Sequence, residues 1–128
     1  MAETEKITIN MSVVDLGKID LLAEEGFYQN RTDFIRNAIR LQLEKHSPTI
    51  EKAIVRHSYG LGIFGVSRKD LEKAAAKGEM KRFDVIGMLV IERDVPADLA
   101  EEVIESIQVH GVLKASAAVK EALKDRIH

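Results

Sequence analysis

Three groups of side chains in this sequence have types and spacings that chemistry could use. Gly60-Leu61-Gly62-Ile63-Phe64-Gly65 spells G-x-G-x-x-G, and Asp84 follows the last glycine by 19 residues. At a strand-to-helix turn, that pattern lets backbone amides cradle a dinucleotide pyrophosphate while the acid holds the ribose. The intervening Leu61, Ile63 and Phe64 are instead a strand-like apolar set, and too little chain remains for the sheet such a fold needs, so the motif reads as glycines in a strand. The second group is nucleophilic or metal-binding. His57 stands beside Ser58, but sequence adjacency does not make a triad; Glu101-Glu102 reads as a solvated helix face; His46, His57, His110 and His128 are scattered, with no His-x-His pair and no cysteine. A lone histidine is more often a surface or core residue than a ligand. Enzymatic activity, a metal and a cofactor are therefore not expected. The third group is Lys6, Thr8 and Asn10, three hydrogen-bonding side chains at every second position.

Those three residues need a strand to align them. In Lys6-Ile7-Thr8-Ile9-Asn10-Met11 the alternation puts Lys6, Thr8 and Asn10 on one face and Ile7, Ile9 and Met11 on the other, because successive strand side chains point to opposite sides. The segments that follow read as helices. The strand has no neighbour in its own chain, and the simplest cover for its edges and apolar face is the same strand of a second subunit. Ser12-Val13-Val14-Asp15 predicts a capping box opening a helix with apolar positions at Leu16, Ile19, Leu22 and Ala23, which Gly26 ends. Asn30-Arg31-Thr32-Asp33 predicts a second N-cap. It leads into Phe34, Ile35, Ala38, Ile39 and Leu43 at helical spacing, as far as about Lys45, before Pro48.

The strand Lys6 to Met11, the helix ending at Gly26 and the helix opening Asn30-Arg31-Thr32-Asp33-Phe34-Ile35-Arg36 together resemble the ribbon-helix-helix repressors, the Arc, MetJ and CopG-type group. The resemblance covers the first third of the chain. It implies an intertwined homodimer in which two strands pair antiparallel across the dimer axis and enter the major groove of double-stranded DNA. Carried over residue by residue, Lys6, Thr8 and Asn10 would face base edges, while Ile7, Ile9, Met11, Phe34, Ile35 and Ile39 would form the dimer core. The residue types suit direct readout: lysine donates to guanine, asparagine pairs with adenine, and threonine offers a hydroxyl and a methyl. The start of the second helix would hold a DNA phosphate on its free amides, with Arg31 and Thr32 assisting. Nickel-responsive members of that group carry His and Cys ligands, whereas this chain has no His-x-His pair and no cysteine.

Charge runs against a tight DNA binder. Residues 1–46 hold six Lys or Arg and eight Asp or Glu, a formal −2, where phosphate neutralisation favours a basic surface. The expectation is that Lys6 and Arg31 lie at the DNA while Asp20, Glu24 and Glu25 face away, and that binding by one dimer is modest or cooperative.

Beyond a short connection containing Pro48, the chain is organised again. Glu51 to His57 reads as amphipathic. Val85 to Ile91 and Val109 to Ala115 match in register at a period near 24 residues, each a glycine-centred apolar strand followed by a helical pattern, over 97–107 and 117–127. Leu61 to Val66, followed by a helix over 68–77, makes a possible third copy. Successive strand-helix units favour a parallel sheet, and three are near the minimum for a stable stack; an antiparallel edge or a small sandwich stays open.

The expected fold is thus α+β: a ribbon-helix-helix module over residues 1–47, then a small α/β domain of about three strand-helix units over 48–128. With 31% charged and 45% hydrophobic residues among 128, wholesale disorder is not expected. The polar start, the lack of a long apolar run and the absence of cysteine fit a cytoplasmic protein with no membrane association. The function expected is a DNA-binding transcriptional regulator, a repressor, whose C-terminal domain assembles dimers into a higher oligomer or receives an effector. The alternative is an antitoxin that binds a toxin through its C-terminal part.

Overall fold

A computed structural model describes residues 3–128. The chain divides into two compact units, residues 1–52 and 53–128. The first contains helices α1 (Val13–Glu24) and α2 (Arg31–Lys45) and the start of α3 (Ser47–His57). The second contains the end of α3 and then β1 (Gly60–Val66), α4 (Arg68–Ala76), β2 (Lys81–Ile91), α5 (Ala97–Val103), β3 (Ile104–Lys114) and α6 (Ala117–Ala122).

The three strands form one parallel sheet in the order β1-β2-β3, which settles the alternatives of an antiparallel edge or a sandwich. The repeat holds in space. Gly62 pairs with Gly87, and Gly87 with Gly111, so the three glycines lie side by side across the sheet. All three have φ between +128° and +138°, a region that side-chain-bearing residues rarely adopt. The reason for glycine is close approach as well as backbone angle: a Cβ on Gly87 would sit 2.1 Å from the Gly62 carbonyl oxygen, and one on Gly111 would sit 2.0 Å from that of Gly87.

One hydrophobic cluster joins the sheet to all three of its helices. Leu71 and Ala74 of α4, Ala100 and Val103 of α5, and Val119 and Leu123 at α6 pack with Val66, Val85, Leu89, Ile91, Ile104 and Ile107 from the strands. The helices therefore cover one face of the sheet, with α5 between α4 and α6. Two of them start on side-chain caps. The Ser67 hydroxyl accepts from the Asp70 amide while the Asp70 carboxylate accepts from the Ser67 amide, a complete capping box, and the Ser116 hydroxyl accepts from the Val119 amide.

Several boundaries differ from those the sequence predicts. The connection at Pro48 is helical: α3 begins at Ser47, and Pro48 sits in its first turn, where the missing N–H costs no helical bond. The helix expected over 97–107 ends at Val103, and β3 starts at once at Ile104, because Ile104 to Gln108 pair with Lys81 to Asp84 of a longer β2. The helix expected over 117–127 ends at Ala122. The chain then turns so that Ile127 forms a bridge to Ile107 on the outer side of β3.

Candidate nucleic-acid interface

The N-terminal candidates are positioned by two helix ends. At the end of α1, Gly26 takes φ +88°; its amide donates to the Ala23 carbonyl and the Phe27 amide to the Leu22 carbonyl, the paired closure of a left-handed cap. This turns the chain into Phe27-Tyr28-Gln29, where the Tyr28 ring meets the edge of Phe34 at 5.0 Å between centroids. The Asn30 side chain then accepts from the Asp33 amide at 2.8 Å, and the Asp33 carboxylate accepts from the Gln29 amide at 3.0 Å. The cap expected from Asn30-Arg31-Thr32-Asp33 is thus formed. The amides of Arg31 and Thr32 take no hydrogen bond among the described residues, so the start of α2 offers two free donors at its positive end. The corresponding box at α1 is not made: Ser12 is the N-cap residue, but its hydroxyl accepts no capping bond.

Arg31 itself is engaged. Its Nε and Nη2 donate to the two carboxylate oxygens of Asp20 at 2.8 and 2.9 Å, across the Gly26 turn. Those hydrogen bonds hold the Asp20 carboxyl below its ordinary range and push the guanidinium further up. Asp20 therefore does not stand away from Arg31 as the charge argument expects; it ties down the cation assigned to the phosphate. Nothing in the sequence flags the pair, because 11 residues and a turn separate its members. Thr32 beside it is exposed.

Residues 3–12 carry no strand or helix in the single chain, and Lys6, Thr8 and Asn10 are all exposed. On the alternate positions Ile7 is 74% and Ile9 61% exposed, whereas Met11 is half-buried. Met11 lines an open hollow of about 450 Å³ with Asp15, Lys18, Ile19, Leu22 and Phe34. Phe34 and Ile35 are half-buried, and Ile39 and Leu43 remain about half exposed along α2. The single chain buries only Ile19 within these two helices. A run of large apolar side chains this open is unusual for a free-standing helix pair.

The other candidates fall apart as chemistry. Gly60, Gly62 and Gly65 all lie within β1, not at a strand-to-helix turn, so they form no phosphate cradle. Among the described residues no three His, Asp or Glu groups come together as a metal would require. His57, Tyr59 and His110 form a chain of ring contacts at 5.5 and 5.3 Å, a packing feature that the sequence did not signal. Among the described residues no helix is long and apolar enough to cross a membrane.

An unpaired start ahead of two helices joined at the Gly26 turn, followed by a folded C-terminal unit, is what the resemblance to the ribbon-helix-helix repressors implies for a single chain. The Ribbon-Helix-Helix transcriptional regulator family matches residues 2–120, so the chain belongs to that family, and the match runs well past the first third that carries the resemblance. No curated protein and no solved structure matches it.

Proposed function

We propose that this chain is a sequence-specific repressor that works as a dimer, pairing Lys6 to Met11 of two copies into a ribbon that lies in the major groove. Lys6, Thr8 and Asn10 read base edges, and the free amides at the start of α2, with Thr32, bind the flanking phosphates, which Arg31 joins only on leaving Asp20. The observation that carries this reading is the exposure of Ile7 and Ile9, 74% and 61%, directly before a helix pair with an open apolar hollow. Apolar side chains at alternate positions of an unpaired segment call for a second segment of the same kind, since burying each is worth roughly 1.5–3 kcal/mol. Family membership supports the DNA-binding class.

The folded C-terminal unit supports a regulator over an antitoxin. A toxin-binding tail typically stays unfolded until bound, whereas residues 53–128 have their own buried cluster, with Leu89, Ile104, Ile107 and Leu123 fully enclosed. Replacing Lys6, Thr8 or Asn10 with Ala should each cost about 1–3 kcal/mol on a cognate site and relax specificity, with the dimer intact. Ile9→Glu should instead abolish the dimer. DNA binding unchanged by both kinds of substitution would remove the ribbon as the reader.

A further inference from the structure

The C-terminal sheet is open at both edges in a complementary way. On its outer side β1 takes no backbone hydrogen bond among the described residues; the one additional bond at this strand, from the Glu92 amide to the Val66 carbonyl, comes from the β2 side. Leu61 is 67% and Ile63 52% exposed on this strand. A seven-residue apolar edge with free amides and carbonyls is a template for another strand.

We propose that the occupant is a second copy of this chain, with β3 of one copy pairing in parallel with β1 of the next. Three observations single it out. The first is the glycine row: inside the sheet, each strand's glycine faces the carbonyl of the glycine on the strand before it. Gly62 has the same backbone conformation, φ +138°, yet a Cβ there would meet only the Phe64 ring at 3.9 Å. The place filled elsewhere by a glycine carbonyl is empty at the outer edge, and β3 ends the row with that group. The second is length. Aligning Gly62 with Gly111 of the neighbour sets Gly60 against Val109 and Val66 against Ala115, so β1 needs residues 109–115 only. The C-terminal segment occupies the outer edge of β3 just short of this stretch: the Ile107 amide donates to the Arg126 carbonyl, and the His128 amide donates to the Ile107 carbonyl. From Val109 onward the outer edge takes no backbone hydrogen bond among the described residues. The third is the side-chain rows. Within one copy Ile63 lies beside Met88 and Met88 beside Val112, so the junction would set Val112 of one copy beside Ile63 of the next and continue an apolar row.

The interface is heterologous: it joins one edge to the other, and repetition gives a ring or a filament of sheets. It does not depend on the DNA-reading assignment, because none of Lys6, Thr8, Asn10, Arg31 or Thr32 takes part. It would nonetheless raise the local concentration of readers along DNA.

The test uses the full chain and mass measurement in solution. Ile63→Lys blocks the β1 edge, Val112→Lys blocks the β3 edge, and a chain carrying both defines the mass held by the rest of the protein. The expected result is that the wild type exceeds the doubly substituted chain at least twofold, that each single variant matches it, and that mixing the two single variants restores the higher mass through the one intact edge of each. A wild type no heavier than the double variant overturns the proposal and leaves the edge to another partner. Higher mass from Val112→Lys alone also overturns it, since β1 would then pair with itself. Far-UV circular dichroism checks folding, and Leu61→Lys with His110→Lys, both at exposed positions, repeats the design if Val112→Lys fails to fold.

Discussion

Gly87→Ala is the sharpest perturbation of the C-terminal unit. The new Cβ would lie 2.1 Å from the Gly62 carbonyl oxygen and 3.0 Å from its carbon. A carbon needs about 3.3 Å from a carbonyl oxygen, so β1 and β2 must separate by roughly 1 Å at a register that seven paired positions hold in place. Two costs follow. A φ of +131° in an alanine is worth about 1–3 kcal/mol, and forcing extra volume into a packed region about 1–3 kcal/mol more. The sum is roughly 2–6 kcal/mol. In a unit of this size each kcal/mol moves the midpoint by about 4–8 °C, so Tm should fall by at least about 8 °C. Gly65→Ala on the neighbouring strand is the control: a Cβ there meets nothing within 4 Å, and its φ is ordinary. It should be neutral or stabilising by roughly 0.5–1 kcal/mol. The chain has two tyrosines and no tryptophan, so in a Tyr28→Phe background Tyr59 alone reports the C-terminal unit in urea. If Gly87→Ala and Gly65→Ala unfold within about 0.5 kcal/mol of each other, the close packing of the glycine row is refuted.

Leu89→Ala, at a fully enclosed position of the central strand, should cost about 2–5 kcal/mol by the same fluorescence assay, and a loss under about 1 kcal/mol would mean that the cluster is not the core. The Asp20 pair gives a pH dependence: its folded pKa lies below the unfolded value, so the stability it contributes is present above the ordinary aspartate range and is lost as pH falls through the depressed value. An NMR titration of the Asp20 carboxyl should show the lowered midpoint, and one at or above the ordinary value would show the pair to be absent in solution. Asp20→Asn should free Arg31, strengthening DNA binding and steepening its salt dependence by about one counterion per chain; unchanged salt dependence would take Arg31 out of the phosphate contact.

What could be read from the residues depended on whether a local rule or a distant partner decided the outcome. Gly26 and Asn30 act through their immediate neighbours, and Val85 to Ile91 and Val109 to Ala115 carry their own apolar strand pattern, so the turn, the second cap and the two strands were legible, whereas the pairing of Gly87 with Gly111 comes from the sheet. The end of α5 was not. Ala100, Val103, Ile104 and Ile107 fall at helical spacing, and only pairing with the early residues of β2, more than twenty positions away, turns Ile104 and Ile107 into strand. The same holds for Ile127, whose place is set by Ile107. At the interface, the residue types of Lys6, Thr8 and Asn10 were evident, but the hold of Asp20 on Arg31 was not, because it depends on the angle at which two helices leave the Gly26 turn. Ser12 has the right residue type for a cap and still makes no capping bond.

Selecting bound sequences from a random pool of double-stranded DNA asks whether the paired Lys6 to Met11 segments read a sequence. The expected result is one enriched motif made of two related half-sites, with the preference lost when Lys6, Thr8 and Asn10 are replaced by Ala. A pool that stays unenriched, or a motif that survives those replacements, would contradict it.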